Sequence, residues 1–240
     1  MATQGIIVAI VILVVLPGYL IYKPPRIVVN YFQSRFPDVL FHIQTGRKVI
    51  ALTIDDAPSP YTEQILEVLR SNDAHATFFV IGSQVIGREE VMANIVRQGN
   101  ELGNHAMHDE PSLSLSNEAL SDQILQVDSF INQAYNTAGM TRRAHYFRPG
   151  SGFFSTRLLD VVANLGYHTI LGSIYPHDPF ISSWRVNAWH ILSMIQPGAV
   201  IICHDRRSWT VPMLQRVVPE LKRRGYEIVT VSGLLDADGA

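Results

Sequence analysis

The chain has 240 residues, 47% of them hydrophobic, and a formal net charge of -2, which fits one domain with a substantial core. The near-neutral charge argues against nucleic acid as a partner, because phosphate binding needs a basic surface. Cys203 is the single cysteine, so an intrachain disulfide is excluded.

The N-terminal residues 5–22 carry no charged side chain and form a run long enough to cross a bilayer. A cleaved signal peptide, which would make the protein secreted, is the alternative, but a basic start and a small-residue cleavage site are missing. We therefore predict a membrane-anchor helix at residues 1–22. Residues 23–47 are then a linker and lead-in to the main domain.

Strands and helices alternate from residue 48 onward. The predicted strands are apolar throughout, as expected of strands covered on both faces, and this indicates an α/β fold with a parallel sheet. Six or seven such units suit a barrel or an open doubly wound sheet. The predicted strands lie at 49–55, 76–81, 145–149, 168–172, 199–205 and 226–231, and the predicted helices at 61–70, 89–98, 117–135, 155–164, 184–195 and 211–224.

Charged and imidazole side chains stand at several predicted strand ends, which form the active-site rim in parallel α/β folds. Asp55 and Asp56 end the first strand, Arg148 follows a later one, and His204 ends another. A carboxylate with imidazoles is typical of a catalytic metal site, and two adjacent aspartates can divide the roles of ligand and base. Each residue alone has a structural explanation, but their joint placement predicts metal-assisted hydrolysis.

The motifs "TIDDAPSP", "ATFFVIG", "ELGNH", "FRPG" and "IICHD" follow one another in an order that resembles the polysaccharide deacetylase family, the NodB-type carbohydrate esterases. The resemblance covers nearly all of residues 48–240. It implies a distorted (β/α) barrel of the NodB homology type. It also implies a divalent metal, usually Zn2+ with Co2+ or Mn2+ as alternatives, and hydrolysis of an N-acetyl or O-acetyl group on a sugar by a water bound to that metal.

The resemblance also implies catalytic roles, position by position. Asp55 matches the catalytic base, and Arg148 matches the arginine that orients it. His204 matches the catalytic acid, and Asp178 matches the aspartate that pairs with this histidine and keeps it charged. The backbone N–H of Ser151 matches the oxyanion donor, for which the side chain is not needed.

The metal ligands depart from the family pattern. Asp56 and His105 match the first two ligands, but the family's second histidine position is Asp109 here. His108 stands one residue earlier and is the alternative third ligand if the loop is shifted. Because an aspartate can ligate zinc, we favour an Asp-His-Asp set.

The substrate side departs as well, because Ser151 and Pro179 occupy positions where the family has aromatic residues. The aromatic residues that could wall the pocket instead are Phe153, Phe154, Trp184 and Trp209.

The function predicted from these features is a metal-dependent deacetylase of an N-acetylhexosamine polymer or oligomer such as chitin. The alternatives are an inactive carbohydrate-binding or structural homologue and a deacylase acting on a non-sugar amide. We expect an acetylated carbohydrate substrate and a membrane contact through residues 5–22, and we predict no protein partner. Such a substrate favours an extracytoplasmic domain, although the basic residues Lys23, Arg26 and Arg35 favour the opposite orientation.

Overall fold

A parallel sheet forms the centre of the computed structural model, which describes residue 4 and residues 10–237. The sheet order is β1-β6-β5-β4-β3-β2-β7, with β8 also paired to β2, and every ladder between these strands is parallel. The strands are β1 (Val39–Leu40), β2 (Val49–Ala57), β3 (Ala76–Val80), β4 (Glu101–Asn104), β5 (Tyr146–Phe147), β6 (His168–Ile170), β7 (Val200–His204) and β8 (Glu227–Val229).

Helices cover the outer face of this sheet, and their apolar stripes pack against it. The α-helices in the described part of the chain are α1 (Leu16–Tyr22), α2 (Arg26–Arg35), α3 (Thr62–Arg70), α4 (Glu89–Arg97), α5 (Asn117–Ala138), α6 (Thr156–Asn164), α7 (Trp184–Met194), α8 (Thr210–Arg223) and α9 (Val231–Asp236). Short 3₁₀ turns lie at Gly82–Gln84, Ser112–Ser114 and Gly150–Gly152, and a π-helical turn lies at Val11–Val15.

Two isolated bridges close the sheet into a barrel. His42, just after β1, bridges Ala199 in antiparallel fashion, and Ile174, just after β6, bridges Ile201 of β7 in parallel. The closure is irregular because single bridges replace a continuous ladder at this seam. The predicted distorted (β/α) barrel is therefore confirmed.

The predicted helices are confirmed, with ends that differ by at most three residues. Strand β4 is not among the strands that the sequence predicts, although its residues form most of the "ELGNH" motif. The last strand is also shorter than predicted, because Thr230 caps α9 by accepting a hydrogen bond from the N–H of Gly233.

Residues 23–47, expected as a linker and lead-in, contain secondary structure of their own. They form α2 and then β1, which pairs with β6 and so belongs to the barrel.

The predicted anchor at residues 1–22 lies partly outside the described residues, namely at 1–3 and 5–9. Its described part consists of the π-helical turn Val11–Val15 and α1. Across the described residues, no helix has both the length and the apolar character needed to cross a membrane.

Gly198 lies at the seam, and its substitution tests the closure. Its φ is +78°, and a Cβ there would stand 2.0 Å from the carbonyl oxygen of Ile43. We expect Gly198→Ala to lower the free energy of unfolding by about 3 kcal/mol, from backbone strain plus the clash. Gly139 is the matched control, since its φ is +68° but the added Cβ would meet nothing within 4 Å.

For Gly139→Ala we expect a loss of about 1 kcal/mol from strain alone. Urea denaturation of both variants measures the difference. Equal losses would contradict a tightly packed seam.

Candidate active site

Strand register brings the predicted base and acid together. Asp55 in β2 stands directly beside His204 in the parallel partner β7. Oδ2 of Asp55 lies 3.9 Å from Nε2 of His204. Arg148 follows β5, where its backbone N–H donates to the carbonyl of Asn104 at the end of β4.

Arg148 binds the carboxylate of Asp55. Its Nη1 lies 2.5 Å from Oδ1 of Asp55 and also donates to Oγ1 of Thr53 at 2.7 Å. Its Nε and Nη2 donate to the carbonyls of Ile170 and Leu171. The guanidinium therefore fixes the orientation of Asp55 and leaves Oδ2 directed toward His204.

Arg148 is only 2% exposed, and its guanidinium lies 4.1 Å from the ring centre of Phe79. Burial lowers the pKa of the Arg148 guanidinium, and the negative charge of Asp55 opposes that shift. A buried cation is tolerated here because the carboxylate and the carbonyl oxygens surround it.

Asp178 forms two hydrogen bonds with His204. Its Oδ2 accepts from the backbone N–H of His204 at 2.8 Å, and its Oδ1 lies 2.9 Å from Nδ1 of the imidazole. Burial alone would lower the pKa of His204, but the charges of Asp178, Asp55 and Asp56 raise it to about 9. His204 is therefore a charged imidazolium at neutral pH, with Nδ1 directed to Asp178 and Nε2 toward Asp55.

Asp56 and His105 face each other beside this pair. Nδ1 of His105 is 2.7 Å from the carbonyl oxygen of Arg148, which can only accept, so Nδ1 carries the hydrogen. In the neutral tautomer Nε2 is then the acceptor, and it lies 3.9 Å from Oδ1 of Asp56. Burial is the main cause that raises the pKa of Asp56.

The third predicted ligand does not join these two residues. The Asp109 side chain is more than half exposed, and its Oδ2 lies 3.7 Å from Nη1 of Arg206. His108, the alternative, is exposed. Among residues 4 and 10–237, no three His, Cys, Asp or Glu side chains gather as a metal site. Asp56 and His105 fit a divalent cation by donor type and orientation, whereas the complete set of three is not assembled.

Ser151 lies in the 3₁₀ turn that follows Arg148, with φ of 62°. Within the described residues its backbone N–H donates to no other group, whereas the neighbouring N–H groups of Gly150 and Gly152 are both used. The N–H of Ser151 is therefore available as a donor.

Five non-glycine residues at or next to the site have a positive φ. Such conformations cost free energy and persist only where surrounding contacts impose them, which is common at functional sites. The residues with positive φ here are Asp56, Ala106, Ser151, His177 and Arg206.

Asp205 is a residue whose role the sequence did not reveal. It is fully buried, and it accepts hydrogen bonds from Oγ of Ser59 at 2.6 Å and Oγ1 of Thr62 at 2.5 Å. These bonds tie the loop after Asp56 to the end of β7. The adjacent pair His204-Asp205 was a visible signal, but only the fold shows which loop Asp205 contacts.

Of the four aromatic residues expected to wall the pocket, some lie at the site and others lie elsewhere in the domain. Trp209 lies at the site and donates from Nε1 to the carbonyl of Asp178 at 3.0 Å. Phe153 is exposed. Phe154 packs against Phe36, and Trp184 packs against the main core.

Comparison with known protein families shows which family the chain belongs to. The polysaccharide deacetylase family model matches residues 42–170, which is more than half of the chain. The chain belongs to the polysaccharide deacetylase family. The family identifies it as a carbohydrate-directed hydrolase.

Two relatives agree with this membership. The chain is 34% identical to a peptidoglycan-N-acetylglucosamine deacetylase of Bacillus cereus, over 82% of this chain and 92% of that protein. It is 31% identical to a chitooligosaccharide deacetylase of Sinorhizobium fredii, over 77% of this chain and 90% of that protein.

A solved structure shares the fold and bears on activity. The structure of BA3943, a CE4 family pseudoenzyme from Bacillus anthracis, matches with a TM-score of 0.75 and 27% identity, over 83% of this chain and 69% of that one. A BA3943 mutant with restored enzymatic activity also matches with a TM-score of 0.75. The fold is therefore found in both active and inactive proteins.

Asp178→Asn tests the electrostatic coupling at His204. We expect the pKa of His204 to fall from about 9 by more than one unit, since the variant removes the negative charge but keeps the burial. In the wild type, the stability from this pair is fully present below about pH 6.5 and is lost as pH rises through about 9. The variant should show a smaller dependence of stability on pH, over a narrower pH range, because Asp55 and Asp56 still face His204.

The measurement is an NMR titration of the His204 ring, with His145 as internal control because it lies beside Asp128 instead. An unchanged His204 titration would contradict the coupling.

Proposed function

We propose that the chain is a metal-dependent deacetylase that hydrolyses N-acetyl groups of an N-acetylhexosamine polysaccharide or oligosaccharide. The observation that carries the proposal is the pairing of a carboxylate held by Arg148 with an imidazolium held by Asp178. Asp55 and His204 stand side by side, where one can accept a proton and the other can donate one. The relatives of Bacillus cereus and Sinorhizobium fredii, named for N-acetylglucosamine and chitooligosaccharide deacetylation, support this substrate class.

The roles follow from these contacts. Asp55 accepts a proton from the attacking water, whose oxygen bonds to the acetyl carbon. The N–H of Ser151 donates to the oxygen on which negative charge develops. His204 gives its Nε2 proton to the sugar nitrogen as the C–N bond breaks, so that acetate and an amine are released.

Asp56 and His105 would hold a divalent cation, with Asp109 as the third ligand. A Zn2+ ion, or Co2+ or Mn2+, would polarise the acetyl oxygen and lower the pKa of water. Support comes from the free Nε2 of His105, whose other nitrogen is occupied by the Arg148 carbonyl, an arrangement usual for ligating histidines.

Removal of the base or the acid should abolish the reaction. We expect Asp55→Asn and His204→Ala each to lower kcat/KM for acetate release from chito-oligosaccharides by at least about a hundredfold, because each loses one proton transfer. A chelator should suppress wild-type activity similarly. Acetate assays with unchanged circular dichroism spectra measure the effect. Wild-type rates in either variant would contradict the proposed roles.

Asp109→Ala tests the third ligand. If Asp109 completes the set, the variant should lose bound Zn2+ on dialysis, because two ligands hold the ion weakly. Asp122→Ala is the matched control, since Asp122 is an exposed aspartate on α5. Elemental analysis gives the metal content, and full content in Asp109→Ala would favour His108 instead.

A catalytically inactive carbohydrate-binding homologue is the second candidate. The pairing of Asp109 with Arg206 supports it, since this carboxylate lies away from Asp56 and His105. A metal-loaded chain that binds chito-oligosaccharides and releases no acetate would support this candidate. Release from another acylated amide would support a non-sugar deacylase.

We also propose that residues 5–22 attach the chain to a membrane, with the domain on the extracytoplasmic side where polysaccharide substrates lie. The absence of charged residues from this segment supports attachment. Protease protection of the domain in sealed, right-side-out vesicles would contradict this orientation.

A further inference from the structure

The segment between β7 and α8 is held in place at both ends. At its start, the buried carboxylate of Asp205 accepts hydrogen bonds from Ser59 and Thr62. At its end, Oγ1 of Thr210 donates to the carbonyl of His204 at 2.6 Å. The backbone between these points is therefore fixed beside the site.

This segment carries two adjacent arginines, and each reaches a carboxylate of the proposed ligand set. Nη2 of Arg207 lies 3.4 Å from Oδ2 of Asp56. Nη1 of Arg206 lies 3.7 Å from Oδ2 of Asp109. Two of the three proposed ligands thus already have a cationic partner from the protein.

The two contacts differ in burial and hence in strength. The side chains of Arg207 and Asp56 are 23% and 3% exposed, whereas those of Arg206 and Asp109 are 41% and 56% exposed. Water and salt screen an exposed pair strongly and a buried pair much less. Arg207 is therefore the stronger partner.

We propose that Arg207 competes with the divalent cation for Asp56, with Arg206 as a weaker competitor at Asp109. A cation that binds Asp56 must displace or approach the Arg207 guanidinium, and like charges repel at this distance. The chain therefore binds its cation more weakly than the Asp-His-Asp set alone would. This inference rests on the ligand set of the proposed function.

Metal affinity measured directly tests this competition. Zn2+ is titrated into the metal-free full chain in competition with a chelating dye. We expect Arg207→Gln to lower the Kd about tenfold and Arg206→Gln about twofold. Arg216→Gln is the matched control, because Arg216 is exposed on α8 and its substitution changes the net charge by the same amount. The Kd of this variant should equal that of the wild type.

A second set of variants separates competition from a structural effect. In an Asp56→Asn background, Arg207→Gln should lower the Kd by much less than tenfold, since the ion pair with Asp56 is then absent and only the direct repulsion between Arg207 and the cation remains. Arg207→Lys, which keeps the charge, should stay within about threefold of the wild type. A Kd for Arg207→Gln equal to or higher than that of Arg216→Gln would overturn the proposal.

Acetate release, measured separately, tests the proposed function. Tighter Zn2+ binding by Arg207→Gln without acetate release from any variant would support the competition and contradict the deacetylase. Acetate release with no affinity change in Arg207→Gln would contradict the competition alone.

Discussion

The ion pair between Arg148 and Asp55 is the interaction on which the site depends. One guanidinium joins Asp55 and Thr53 of β2 to the carbonyls at the end of β6, and the carbonyl of the same residue accepts from His105. It therefore orients the proposed base and a proposed metal ligand at once. Loss of one partner would leave a buried charge uncompensated, which typically costs about 3–5 kcal/mol.

Two other buried carboxylates are also matched by donors. Asp178 faces the imidazolium of His204, and Asp205 faces two hydroxyl groups and a backbone N–H. Each carboxylate is satisfied in place, because an unpaired charge in the interior is unfavourable. Asp56 differs from these carboxylates, because its nearest cation is the partly exposed Arg207. A carboxylate of this sort is the one most open to exchange between a guanidinium and a metal ion.

Much of the barrel could be predicted because its strands are short and apolar and its helices carry apolar residues at helical spacing, three of them behind a side-chain cap. Ser116, for example, accepts from the N–H of Ala119 at the start of α5, as its position indicates. Strand β4 was not predictable, because "ELGN" has no apolar run, and its pairing with β3 and β5 depends on neighbours far away in the chain. The bridge from His42 to Ala199 could not be predicted for the same reason.

The sequence by itself determined the residue types and the order of the motifs, and with them the family and the expected roles of Asp55, Arg148 and His204. Only the tertiary structure decided which of those groups meet. Adjacent strands bring Asp55 to His204 by register, whereas Asp109 lies on an exposed loop whose position no ladder fixes. Asp109 therefore contacts Arg206, because loop geometry and the nearest charge, rather than motif spacing, determine the partner of an exposed carboxylate.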